Sequence, residues 1–120
     1  MHELSIAMSI VEMAEEEAGM RGIGVSAVHL KLGALSGVVK DALLGCYEMA
    51  CEGTLLQGSR LLIEEVPVVI FCQQCQEQQT LGSTQLFCCP QCGIPSSEIV
   101  QGKELEVVAL ETQECVPNHV

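Results

Sequence analysis

The chain has 120 residues, enough for one small hydrophobic core, or for one core plus a metal-stabilised module too short to fold without its ion. Its formal net charge is −11, from 16 acidic and 5 basic residues, and only three residues are aromatic. Such a surface repels phosphate and offers no stacking platform, which excludes nucleic acid as a partner. Because there is neither a basic start nor a long apolar stretch, we expect no signal peptide, no contact with a membrane, and a cytoplasmic protein.

The first predicted helix begins near Glu3 and ends at Gly19 or Gly22. Apolar residues recur along it at helical spacing, with glutamates on the opposite side. A half-buried strand is predicted next, from Val25 to Leu35, because apolar residues alternate there with polar ones such as His29. We expect the His29 side chain to face solvent.

A second helix is predicted from about Val38 to Cys51, with Ser36 as its N-cap residue. Strands are predicted around Arg60–Val66 and Lys103–Glu111, and the apolar run Val68–Phe71 leads into a cysteine-rich segment. The four methionines within the two helices are expected to pack in the core or at its border.

The order of these elements predicts an α+β fold. We expect two helices packed on a small three-stranded mixed sheet, with an inserted zinc-ribbon-like module. Residues 1–70 and 103–120 should form the α/β domain, and residues 71–102 the inserted metal-binding domain. Residues 112–120 look loosely ordered.

Two cysteine pairs carry the strongest chemical signal in the sequence. Cys72 and Cys75 form the first pair, and Cys89 and Cys92 form the second, with thirteen residues between the pairs. Two such pairs can close a tetrahedral thiolate site, and this spacing is typical of structural zinc. Four protein ligands leave no open position, which favours a structural role over a catalytic one.

Several alternatives for these cysteines remain open. Gly93 follows the second pair and tolerates the left-handed backbone of a tight turn, whereas Gln76 follows the first pair. Cys88 could replace Cys89 as a ligand, although the two-residue spacing to Cys92 favours Cys89. Two disulfides, unrelated buried thiols, or iron in the same cage are the other interpretations.

The start of the chain offers a second candidate metal site. Met1 and His2 place an α-amine, an amide nitrogen and an imidazole in consecutive positions. These three nitrogens can chelate one ion in a plane, a geometry that nickel(II) and copper(II) favour and zinc does not. A fourth donor could come from the amide or the carboxylate of Glu3. Taken alone the pattern is weak, because a histidine near an N-terminus is more often without any role.

Several stretches of the sequence resemble the HypA/HybF family, and together they span nearly the whole chain. The stretches are Met1–Ser5, Gly33–Val38, Glu52–Thr54, Leu61–Pro67, Cys89–Gly93 and Gly102–Leu105. Proteins of this family are nickel metallochaperones for the maturation of nickel–iron hydrogenases, and some relatives also serve urease. The resemblance therefore implies a metallochaperone, not an enzyme, with a two-helix, three-stranded nickel-binding domain interrupted by a zinc domain.

The resemblance also implies roles for individual residues. His2 would be the principal nickel ligand, with the Met1 amine and Glu3 contributing to the site or shaping it. The zinc ligands would be Cys72, Cys75, Cys89 and Cys92. The implied partners are a HypB-type nickel-handling GTPase and the hydrogenase large subunit. Urease maturation proteins and a second copy of this chain are further candidates.

The chain departs from the family pattern at Gln76, at Cys88 and in its C-terminal residues. These departures leave open the geometry of the first cysteine turn and an extra ligand from Cys88, Cys115 or His119.

Two other function classes also stay open. One is a zinc-ribbon interaction module without nickel chemistry, and the other is a redox or iron protein that uses the paired cysteines.

Overall fold

The computed structural model of the protein describes residues 2–82, 87–96 and 98–113. The elements in chain order are α1 (Glu3–Arg21), β1 (Gly24–Gly33), α2 (Lys40–Cys51), β2 (Arg60–Val66), β3 (Val69–Cys72), β4 (Glu77–Thr80), β5 (Ile99–Gln101) and β6 (Leu105–Gln113). The strands form two three-stranded sheets, in the orders β2-β1-β6 and β4-β3-β5. The predicted α+β fold is confirmed, and along the sequence the cysteine-rich segment is inserted between β2 and β6.

Helix α1 buries one side and ends at a glycine. Its buried residues are Ala7, Ile10, Val11, Ala14 and Ala18. Gly22 terminates the helix in a left-handed conformation (φ 67°), and the N–H of this residue donates to the carbonyl of Ala18. Of the two glycines predicted to end the helix, the structure selects Gly22. A side chain would be strained at that backbone angle, whereas glycine is not.

Helix α2 begins later than predicted, and Ser36 is not its cap. The N-cap residue is Val39, which makes no side-chain capping hydrogen bond. Ser36 lies in a turn in which its N–H donates to the carbonyl of Gly33, 3.0 Å away. Gly37 then has a φ of 79°, which interrupts any helix that would start at Ser36. The first helical hydrogen bond runs from Leu43 N to Val39 O, 2.9 Å.

The chain divides into two compact units. The first comprises residues 1–30, 38–63 and 107–120. Its core joins the buried side of α1 to Leu43, Tyr47 and Cys51 of α2 and to Val28 and Leu30 of β1.

The helix methionines do not belong to this core. Met8, Met13, Met20 and Met49 are 48–81% exposed, so the prediction that they pack is wrong. Alanines and branched side chains occupy the inner positions of α1 instead.

The second unit comprises residues 31–37 and 64–106. Val68, Ile70 and Leu81 form its small core, against which Leu35, Phe87 and Ile99 pack. Strand β3 pairs antiparallel with both β4 and β5.

A close backbone approach also stabilises the second unit. The N–H of Gly33 donates to the carbonyl of Glu104 at 2.7 Å, and the N–H of Leu35 donates to the carbonyl of Gly102 at 2.7 Å. A Cβ atom on Gly33 would lie 2.1 Å from the carbonyl oxygen of Gly102, so only glycine fits there.

In the described part of the chain, neither helix combines the length and apolar character needed to cross a membrane.

Candidate metal centres

The first cysteine pair lies in a tight turn at the end of β3. Cys72 is the last residue of the strand and is buried. The N–H of Gln76 donates to the carbonyl of Cys72 at 2.8 Å, and the N–H of Cys75 points at the Cys72 sulfur from 3.4 Å. The turn therefore directs both sulfurs to the same side. Gln76 adopts a φ of 56°, so the left-handed position expected for glycine is filled by a glutamine.

The second cysteine pair repeats this arrangement. The N–H of Gly93 donates to the carbonyl of Cys89 at 2.8 Å, and Gly93 has a φ of 77°. The N–H of Cys89 donates to the carbonyl of Ile94 at 2.9 Å, which closes the turn. Cys88, the residue before this pair, forms an isolated antiparallel bridge with Pro95.

The two turns bring four sulfurs together. The Sγ atoms of Cys72, Cys75, Cys89 and Cys92 lie within 4.8 Å of one another, and Cys88 is not part of this group. The sulfurs of Cys72 and Cys92 are 3.5 Å apart, and those of Cys75 and Cys89 are 3.8 Å apart. Thiolates bound to one tetrahedral zinc ion, at about 2.3 Å each, are about 3.8 Å from one another. The donor set and its spacing therefore fit zinc.

The thiols differ in how readily they lose their protons. The backbone N–H groups of Cys92 and Gln91 lower the pKa of the Cys89 thiol to about 7. Loss of hydration and the neighbouring sulfurs, Cys72 first among them, raise the pKa of the Cys75 thiol to about 12. Four thiolates this close cannot all be charged without a cation, because like charges repel strongly at such distances. A divalent ion held by the four sulfurs would supply the missing positive charge and displace the remaining protons.

The N-terminal candidate site lies at the start of α1. His2 is exposed and directly precedes the helix, and its carbonyl accepts the N–H of Ile6 at 3.2 Å. The His2 side chain makes no capping hydrogen bond to the helix. Its backbone is therefore tied to the helix, and its imidazole is exposed at the helix end. The predicted Met1 amine lies outside the described residues, as do Cys115 and His119.

Glu3 makes a contact that the sequence analysis did not anticipate. Its Oε2 atom accepts a hydrogen bond from the N–H of Val39, the residue before α2, at 3.2 Å. This bond, together with the N–H of Glu3 itself, lowers the pKa of the Glu3 carboxyl. Every residue except proline has a backbone N–H, so nothing in the sequence marked Val39 as the donor.

His29 is not brought to either candidate site. Its Nε2 atom pairs with the Glu111 carboxylate across β1 and β6, so the side chain meets a partner as well as solvent. Among the residues that the structure describes, the four cysteines are the one group of three or more potential metal ligands.

Comparison with known proteins identifies the family. A family model described as "Hydrogenase/urease nickel incorporation, metallochaperone, hypA" matches residues 1–112. The chain belongs to the HypA family. The hydrogenase maturation factor HypA of Chloroflexus aurantiacus is 55% identical over 113 residues, which cover 93% of this chain and 99% of the relative. The HypA of Geobacter metallireducens is 43% identical over 113 residues, covering 94% of this chain and 100% of that relative.

Solved structures support the fold of this HypA-family chain. The solution structure of the nickel metallochaperone HypA from Helicobacter pylori has a TM-score of 0.63 and 24% identity, and the match covers 93% of this chain and 97% of the other. A second solution structure of a HypA protein gives a TM-score of 0.69 at 23% identity, covering 94% and 97%. At these identities the likeness shows a shared fold.

Proposed function

We propose that this protein is a nickel metallochaperone that binds nickel(II) at its N-terminus and delivers it for the maturation of a nickel–iron hydrogenase. The observation that carries the proposal is the match of residues 1–112 to the HypA family. The exposed His2 at the start of α1 supports it, because a delivery site must be reachable by the acceptor.

The proposed nickel ligands are the Met1 amine, the His2 imidazole and the His2 amide nitrogen, which would release its proton to solvent on binding. Amine and amide close a five-membered chelate ring, and amide and imidazole close a six-membered ring. Nickel(II) favours such planar nitrogen sets, and zinc does not. Glu3 contributes to the site or shapes it. An ion held at an exposed terminus can pass to a partner through mixed coordination, without first becoming fully hydrated.

The four cysteines would hold zinc in a structural role. They supply four thiolates, which leaves no position for a substrate, and structural zinc contributes folding free energy to small modules. Residues 71–102 would then be the zinc domain, and residues 1–70 with 103–120 the nickel domain. This division separates a labile site for delivery from a closed site for stability.

The proposed partners follow from the delivery role. They are a HypB-type nickel-handling GTPase and the hydrogenase large subunit in the cytoplasm, with urease maturation proteins and a second copy of the chain as further candidates. The function consists of metal transfer, so the protein needs no catalytic residue.

A nickel titration tests the N-terminal site. Tag-free protein loaded with zinc is titrated with nickel, and bound metals are counted for the wild type, for His2→Ala and for His29→Ala as a matched histidine control. We expect about one zinc in all three, and tight nickel binding in the wild type and in His29→Ala only. Equal nickel binding by His2→Ala would overturn the N-terminal site, and no nickel binding by any of them would favour a zinc-ribbon interaction module.

A further inference from the structure

The N-cap residue of α2 makes no side-chain capping bond, and its N–H is bound instead by a side chain of α1. This N-cap residue is Val39. In a capping box, a glutamate or glutamine three residues after the N-cap accepts the N-cap N–H, but Ala42 occupies that position here. The carboxylate of Glu3 takes its place and accepts the Val39 N–H at 3.2 Å.

A carboxylate is well suited to this position. The first N–H groups of a helix have no partner within the helix, and they create a partial positive charge at its N-terminus. Glu3 is itself the first residue of α1 and faces the start of α2. Its negative charge therefore lies near two helix N-termini at once, where it is favoured over a neutral side chain.

The bond fixes the residue that follows the proposed nickel ligands. His2 is joined directly to Glu3, and the His2 carbonyl is already bound to the N–H of Ile6. With Glu3 held at Val39, the backbone on the C-terminal side of His2 is restrained by two independent contacts. A chain end restrained in this way loses less conformational freedom when its nitrogens close around an ion.

We propose that Glu3 is a positioning residue of the nickel site: its carboxylate binds the Val39 N–H and orders the His2 segment, and it does not itself coordinate nickel. This inference rests on the proposed function. A positioning role and a ligand role for the Glu3 carboxylate require different groups. Positioning requires an acceptor oxygen at residue 3 and an N–H at residue 39, whereas ligation requires only the carboxylate.

Four variants separate the two roles. Glu3→Gln keeps an acceptor oxygen, and Glu3→Ala removes it. Val39→Pro removes the donor N–H and leaves Glu3 intact, and the Val39 φ of −86° is close to the value that proline imposes. Val39→Ala is the matched control, because it keeps the N–H and shortens only the exposed side chain.

Nickel affinity is measured by competition with a coloured chelator, using zinc-loaded full-length protein. We expect Glu3→Ala and Val39→Pro each to weaken binding about tenfold, which corresponds to the net contribution of about one hydrogen bond. Glu3→Gln and Val39→Ala should stay within about threefold of the wild type. Hydrogen exchange at Val39 should be slow in the wild type and Glu3→Gln, and fast in Glu3→Ala.

The opposite pattern would overturn the proposal. A ligand role predicts that Glu3→Gln is as weak as Glu3→Ala, and that Val39→Pro binds as well as the wild type or better because the carboxylate is released. Zinc content and circular dichroism identify any variant that has not folded. If His2→Ala binds nickel normally, the proposed function itself fails; if His2→Ala loses nickel while Val39→Pro keeps it, only the positioning role fails.

Discussion

Gln76 and Gly93 occupy equivalent positions in the two cysteine turns. Each lies four residues after the first cysteine of its pair, and each donates its N–H to the carbonyl of that cysteine at 2.8 Å. Both have a left-handed backbone, with φ of 56° for Gln76 and 77° for Gly93. The same turn is thus built once with glycine and once with a residue for which this conformation is unfavourable. The geometry of the sulfur site outweighs the local preference of the glutamine.

Replacing Gly93 should show the cost of this conformation directly. A Cβ atom on Gly93 would meet nothing within 4 Å, so Gly93→Ala tests the backbone strain alone. We expect the zinc-loaded variant to lose about 1 kcal/mol of unfolding free energy, measured by denaturant unfolding. Gly82→Ala is the control, because Gly82 also has open space but no left-handed backbone. Equal effects of the two substitutions would contradict the strain argument.

Adjacent cysteines should differ sharply in their effect on zinc. Cys89 belongs to the group of four sulfurs, whereas Cys88 does not. We expect Cys89→Ser to lose most of its bound zinc and its resistance to protease, because the metal supplies folding free energy. Cys88→Ser should retain about one zinc per chain, the content also expected of the wild type. Zinc loss from Cys88→Ser with retention by Cys89→Ser would reverse the ligand assignment.

Tyr47 should make the stability of the first unit sensitive to alkali. Burial raises the pKa of this tyrosine, which is 3% exposed and bonded to Ser59 at 2.7 Å. Below the unfolded pKa of about 10 the residue is protonated in both states. Above it the unfolded state ionises first, so the unfolding free energy should fall by about 1.4 kcal/mol per pH unit.

The titration of Tyr47 can be followed without interference from another tyrosine, because the chain has one tyrosine and no tryptophan. The tyrosinate absorbance should appear well above pH 10 and together with the loss of circular dichroism. In Tyr47→Phe, the decline in stability caused by this group should disappear. A titration of the folded protein near the ordinary tyrosine pKa would contradict the burial argument.

Two glycine-to-alanine substitutions should have opposite effects. The Cβ of Gly33→Ala would lie 2.1 Å from a backbone oxygen, so this variant should be destabilised by about 3 kcal/mol. Gly45 lies within α2 and has open space around it, so Gly45→Ala should gain about 0.5–1 kcal/mol from helix propensity. Thermal unfolding of both variants measures the difference. Normal stability of Gly33→Ala would mean that Gly33 and Gly102 lie farther apart than described.

The sequence predicted the elements whose signals are periodic. Helix α1, strand β1 and the two cysteine pairs each repeat a residue type at a spacing set by backbone geometry. The position of the second cap could not be predicted in this way. Ser36 has the right chemistry, but Gly37 adopts a left-handed backbone, and the cap is supplied by Glu3 from 36 residues away.

The sequence pattern also could not predict which helix side chains are exposed to solvent. Met20 is 81% exposed although it belongs to the residue class that usually fills a core. Whether a helical position is inner or outer depends on which neighbours cover it, and composition does not reveal those neighbours. For the same reason, the sequence placed Glu3 near the proposed nickel site without identifying its bond to Val39.

The most direct test of the delivery role is a transfer experiment in the presence of a chelator. Nickel-loaded protein is mixed with the apo large subunit of a nickel–iron hydrogenase from the same organism, together with a chelator that removes free nickel within seconds. We predict that the large subunit acquires nickel from the wild type at a rate independent of chelator concentration, because the ion passes between ligands in contact. Transfer that stops when the chelator is present would contradict delivery by this protein.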